Sequence, residues 1–150
     1  IQMRKGVIKV NNQNNIRKIV EKYSGFSPFQ IAEQKGMEIR RKELPPQVDG
    51  FMTSALGHSY TVLNKNLSKN TEKIVICRFL SRNIIYGSQH KHIQISGDVN
   101  KNTEIELCAA AIHALQANDK QSIERSFNHF KIPVEKAVKL YQLNQNSILV

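Results

Sequence analysis

The chain has no tryptophan, only two cysteines, and no apolar run long enough to cross a bilayer. The missing tryptophan matters because the other aromatics do not interleave with the basic runs, so the stacking platform of a single-strand nucleic-acid binder is absent. The lack of a spanning run argues against a membrane-embedded helix. Ile1-Gln2-Met3-Arg4-Lys5 holds no signal-peptide apolar core, so a cytoplasmic protein is expected. Cys77 and Cys108 both lie inside apolar helical patterns and read as reduced core thiols. A two-cysteine metal site is the weaker reading, because no histidine stands near either at ligand spacing.

Acidic residues are also scarce: 12 Asp/Glu against 22 Lys/Arg give a formal charge of +10. Up to Leu44 there are ten bases and four acids, from Pro45 to Thr103 seven and three, and from Glu104 onward five and five. The excess therefore belongs to the first two thirds. Such a field favours an acidic partner or a phosphate backbone, with plain solubility as the alternative.

With 150 residues, 40% of them hydrophobic, the chain can build one domain with a real core. Residues 1–15, with the tract Asn11-Asn12-Gln13-Asn14-Asn15, read as a flexible segment, 16–143 as the domain, and 144–150 as a fraying tail. Ile16, Ile19, Val20 and Tyr23 recur at helical spacing, ended by Gly25. Ser27-Pro28 starts a helix closed by Gly36. Strands follow over Met37 to Lys42, Gly50 to Ala55 and His58 to Leu63, the last two joined as a hairpin by Leu56-Gly57. A central helix opens at Asn70 or Thr71 and ends at Gly87, with Ile74, Cys77, Leu80 and Ile84 as its core stripe.

Gly87 to Asn102 reads as a polar connector whose His90 and His92 are surface histidines. Thr103 and Glu106 have the spacing of a capping box at the head of a helix with Ile105, Cys108, Ile112 and Leu115 in its core and His113 partly exposed. Two more helices, Asp119 to Phe130 and Pro133 to Leu143, would place Phe127, Phe130, Val134, Ala137, Val138 and Leu140 inside. The region from Glu104 onward, which holds this pair, carries no net charge, which suits structure better than a DNA-reading helix-turn-helix. The expected fold is α+β, a small three-stranded sheet against about five or six helices.

The glycine-containing strand Val48-Asp49-Gly50-Phe51-Met52-Thr53, the strand His58 to Asn64, Asn66-Leu67 and the helix Thr71 to Tyr86 together resemble the ImmA/IrrE family of small zinc metallopeptidases. The resemblance runs in element order from Ile16 to Leu143 and is most specific from Asp49-Gly50-Phe51 through Asn66-Leu67. It implies a compact zincin-like domain. That family carries His-Glu-x-x-His on the central helix, where this chain reads Arg78-Phe79-Leu80-Ser81-Arg82.

Two histidines one turn apart reach one zinc ion, and the glutamate between them activates the bound water. Arginine stays protonated and has no lone pair for a metal, and Phe79 at the general-base position takes no proton. The family's third ligand, a glutamate opening the next helix, falls on Glu104. The resemblance therefore implies a pseudoenzyme with no cofactor, in which Arg78 or Arg82 pairs with Glu104 where the cation would sit.

The leading expectation is a protein that binds a helix-turn-helix repressor of a phage or mobile element in a bacterial cell without cleaving it, as an antirepressor. Arg78, Arg82, Arg40, Arg41 and Lys42 are the candidate partner- or anion-binding residues. The second reading is a nucleic-acid-binding module using Arg78, Arg82 and the N-terminal bases. The third is an enzyme with a metal site relocated to His90, His92, Glu104 or the cysteines.

Overall fold

The computed structural model describes residues 16–98, 102–133 and 135. Residues 16–23 are helical (α1) and bury Ile16, Ile19, Val20 and Tyr23. Ser27 caps α2 (Pro28–Gln34) by a full capping box: its Oγ accepts from the Gln30 N–H, and Gln30 Oε1 accepts from the Ser27 N–H. Gly36, at φ 70°, then turns the chain into β1 (Met37–Lys42).

β2 (Val48–Ala55) and β3 (His58–Asn64) form the expected hairpin, with both Leu56 (φ 53°) and Gly57 (φ 75°) in the left-handed region of a two-residue turn. β1 does not sit beside β2, the strand that follows it. It pairs parallel to β3, so the chain from β1 to β2 has to cross the end of β3. Buried Asn64 holds that crossing. Its Nδ2 lies 3.0 Å from the Val48 carbonyl and 3.3 Å from those of Leu44 and Pro45, while its Oδ1 accepts from Asn66 N–H.

The sheet has four strands, not the three expected. β4 (His92–Ile95) pairs antiparallel with β2, giving the order β1-β3-β2-β4. The polar connector hid it because four residues carry too little periodicity to read as a strand, and only the free edge of β2 makes them one. Gly50 lies at the irregularity where β4 meets β2. On its other side a Cβ would stand 2.5 Å from the carbonyl oxygen of Val62 in β3, so β2 and β3 can close only over a glycine.

α3 (Lys69–Tyr86) starts one or two residues earlier than the expected Asn70 or Thr71, because Ser68 Oγ takes the Thr71 N–H at 3.2 Å. Gly87 (φ 94°) ends it as expected. Cys77 and Leu80 of the expected stripe are fully buried while Ile74 and Ile84 are partly so. The helix is nonetheless buried on every side from Val75 to Ser81, since it lies between the sheet, α2 and α4 (Thr103–His113). The near neighbour α4 brings Ala109, Ala110 and Ala111 into the core.

Asn102, not Thr103, caps α4: its Oδ1 accepts from the N–H groups of Glu104 (3.0 Å) and Ile105 (3.4 Å), and Glu106 is left free for another role. A 3₁₀ turn (Ala114–Gln116) leads to α5 (Lys120–His129), which buries Ile123 and Phe127 and is followed by buried Phe130 and Ile132. The described part is thus α+β, a mixed four-stranded sheet with five helices. No described helix is long and apolar enough to cross a membrane. Residues 1–15, expected as a flexible segment, residues 144–150, expected as a fraying tail, and nearly all of the expected helix Pro133 to Leu143, with Val134, Ala137, Val138 and Leu140, lie outside the described residues.

Candidate functional site

The middle of α3 packs against the first turn of α4, and Ser81 Oγ pins the two by donating to the Ile105 carbonyl at 2.7 Å. Residues 78 and 82 lie four apart on α3 and share a face. Arg78 is 9% exposed and meets the 3% exposed Glu106 in a forked pair: Nε at 3.2 and 3.1 Å from the two carboxylate oxygens and Nη2 at 2.9 Å from Oε1. The Phe130 ring lies 5.3 Å from the same guanidinium carbon, within cation–π range. Buried Asp49 is the second carboxylate in reach. Burial pushes its pKa up, while the Arg78 charge and a hydrogen bond from Ser96 pull it down.

The partner of Arg78 is therefore Glu106 and not Glu104. Helical side chains lean back toward the N-terminus, so the residue that meets Arg78 stands deeper in the first turn of α4 than alignment suggests. Glu104 is half-buried, with its backbone N–H on the Asn102 cap. A clue to Glu106 was present: an acid between Ile105, Leu107 and Cys108 must go inward with the apolar side chains, and a buried carboxylate needs a cation.

Arg82 is half-buried and differs from Arg78. Its Nε is buried and meets no acceptor, and its Nη1 lies 3.3 Å from Nε2 of His90. Burial lowers its pKa, Tyr86 and Glu106 raise it, and Arg78 lowers it. The connector after Gly87 is held over the hairpin by Ser59 Oγ donating to the Ser88 carbonyl at 3.0 Å and Ser54 Oγ donating to Gln89 Oε1 at 2.9 Å. That places His90 between the rings of Tyr86 (4.6 Å) and His92 (6.4 Å), with Phe79 edge-on to His92 at 6.3 Å.

The two histidines are therefore half-buried members of a ring column rather than surface loop residues. Burial, and then the Arg82 charge, lower the pKa of His90. Burial, Arg82 and His90 bring His92 down to about 4 against the pull of Gln94 and Asp98. Phe79, which the sequence resemblance sets at a general-base position, is wholly buried.

Arg40 and Arg41 do not join this cluster. Arg40 bonds Glu38 from Nε (3.0 Å) and Nη2 (2.9 Å) and lies over Tyr60, and Arg41 makes a forked pair with Glu72 (2.9 and 2.7 Å) in the first turn of α3. Lys42 is exposed at the end of β1. Both cysteines are buried free thiols whose pKa values burial raises, that of Cys108 to about 11. They are inert as nucleophiles at neutral pH. His113 is half-buried, hydrogen-bonded at 2.9 Å to Ser126 Oγ and packed on His129 and Phe130.

A zinc ion does not fit the position between α3 and α4, because the guanidinium groups of Arg78 and Arg82 offer no lone pair and Arg78 already occupies the Glu106 carboxylate. Among the described residues no three His, Cys, Asp or Glu side chains come together as a metal-binding group, so the set imagined for a relocated site is not assembled there. Comparison with family models, with curated proteins and with solved structures finds no match for this chain.

Proposed function

We propose that the chain is a catalytically silent zincin-like protein, related to the ImmA/IrrE metallopeptidases, that binds a helix-turn-helix regulator without cutting it. The observation that carries this reading is the buried Arg78–Glu106 pair. The resemblance places two metal-binding side chains four apart on α3 and an acid in the first turn of the next helix. Here Glu104 stands at that acid's place, while Glu106, two residues on in the same turn, takes a permanently charged guanidinium. Such a pair neutralises the carboxylate and closes two helices together, yet it can neither polarise a peptide carbonyl nor activate water.

A scaffold that keeps its shape and loses its chemistry retains only recognition as a use for its surface. The antirepressor action follows from masking the partner's DNA-binding or dimer surface. The test is affinity capture from a bacterial lysate followed by incubation with zinc. A helix-turn-helix protein recovered at full length, and still intact after zinc is added, is the expected result. Recovery of a trimmed partner would overturn the silent reading, and recovery of nothing specific the partner reading.

The nucleic-acid reading draws on the net charge of +10. It is weakened by the engagement of Arg40 and Arg41 with Glu38 and Glu72 and of Arg78 with Glu106.

A further inference from the structure

Arg82 is the cation of the α3–α4 cluster left without an acid. Glu106 is in electrostatic reach of it but is committed to Arg78, and among the described residues no carboxylate forms an ion pair with Arg82. Its Nε–H points into the protein with no acceptor, and its one hydrogen-bonding neighbour is the ring nitrogen of His90. For Nε2 of that ring to accept, His90 must be neutral with its proton on Nδ1. His92 stacks 6.4 Å beyond it, and Tyr86 closes the other end of the column.

A buried donor without an acceptor is costly, and a half-buried charge without a counter-ion more so. Nη1 of Arg82 meets Nε2 of His90, the His92 ring stacks 6.4 Å beyond it, and each imidazole can gain a proton and become a donor. Asp98 acts on His92 and Glu106 on Arg82 only through their fields, and among the described residues no carboxylate forms an ion pair with Arg82, His90 or His92. We propose that Arg82, His90 and His92 form a binding site for a small oxyanion, a carboxylate or a phosphate group, that supplies the missing acceptor to Arg82. The two sources share planar or tetrahedral oxygens spaced to take the guanidinium fork. Binding draws protons onto the histidines, because an anion beside Arg82 at the edges of the two rings opposes the lowering that the Arg82 charge exerts on them. The inference stands apart from the partner reading: an empty affinity capture leaves it untouched.

The experiment is an NMR titration of the imidazole signals of the whole chain at fixed pH with inorganic phosphate, with acetate, and with chloride at matched ionic strength. Saturable shifts of His90 and His92 are expected with phosphate or acetate and not with chloride, while exposed His58 stays put. Response to acetate alone assigns the site to carboxylates, and to phosphate alone to phosphoryl groups. Arg82→Gln is expected to weaken the response at least about tenfold, the loss of one charge-assisted pair. His90→Asn, which leaves the helix intact, is expected to weaken it as well. Wild-type histidines that respond to phosphate and acetate no more than to chloride, or a response unchanged in Arg82→Gln, would overturn the site.

Discussion

Arg78 and Glu106 show why removing one charge differs from removing two. The pair buries a cation and an anion with three hydrogen-bond contacts between them and an aromatic ring beside the guanidinium. Deleting one partner leaves the other charged in a dry site, at a cost of about 3–5 kcal/mol. Glu106→Gln is expected to lower the free energy of unfolding by about 3 kcal/mol, read by urea denaturation. The double variant Arg78→Met with Glu106→Leu is expected to regain most of that loss, because it removes the desolvation penalty together with the attraction. Glu104→Ala is expected to change stability by less than about 1 kcal/mol, since its carboxylate makes no ion pair among the described residues. Similar losses at 104 and 106 would remove the basis for assigning the pair to Glu106.

Secondary-structure elements bring their own tests. The α4–α5 junction holds His113 between Ser126, His129 and Phe130, and burial, Lys73 and His129 bring its pKa from 6.5 to about 4. The folded state therefore refuses a proton that the unfolded chain accepts between those values. The stability this contributes is full above about 6.5 and is lost as pH falls toward 4, with His92 adding to it over the same window. The loss at His113 is on the order of a few kcal/mol, read as a fall in Tm on acidification, and His92, more open to solvent screening, adds less. His113→Gln is expected to flatten the profile.

In the sheet, Gly50→Ala is expected to cost about 1–3 kcal/mol, because its Cβ meets backbone rather than a side chain that can swing away. The same scale shows what could be read locally. The Ser27-Pro28 start, the Gly36 turn, the Leu56-Gly57 hairpin and the Gly87 stop are all short-range chemistry and are legible in the sequence. The Ser68 cap, the Asn102 cap and β4 were not. In each a neighbouring residue offered a competing local solution, or the element exists only because a distant strand pairs with it.

For the whole molecule the excess of positive charge sets the long-range field, and it rests on the first two thirds of the chain. If that field served a phosphate backbone, binding to duplex DNA would fall steeply with salt. A gel shift at low salt is expected to show background only, because several of the arginines are held by the protein's own acids. A salt-dependent shift would favour the nucleic-acid reading instead. The site was legible at Arg78 and Arg82, which stand out as two cations on a central helix. Glu106, Asp49 and Phe130, which surround Arg78, lie on three other segments, and no spacing along the chain announces them.

The sequence by itself determined the α+β class, the hairpin, the burial of the two thiols and the pair of arginines four apart on the central helix. Each follows from residue type, periodicity or turn chemistry within about twenty positions. The tertiary structure alone decided which acid answers Arg78, that Arg82 has none, and that a fourth strand brings His92 beside it. Those outcomes depend on how α3, α4 and the sheet edge meet, and burial then fixes which charges must be paired and which are left for something else to pair.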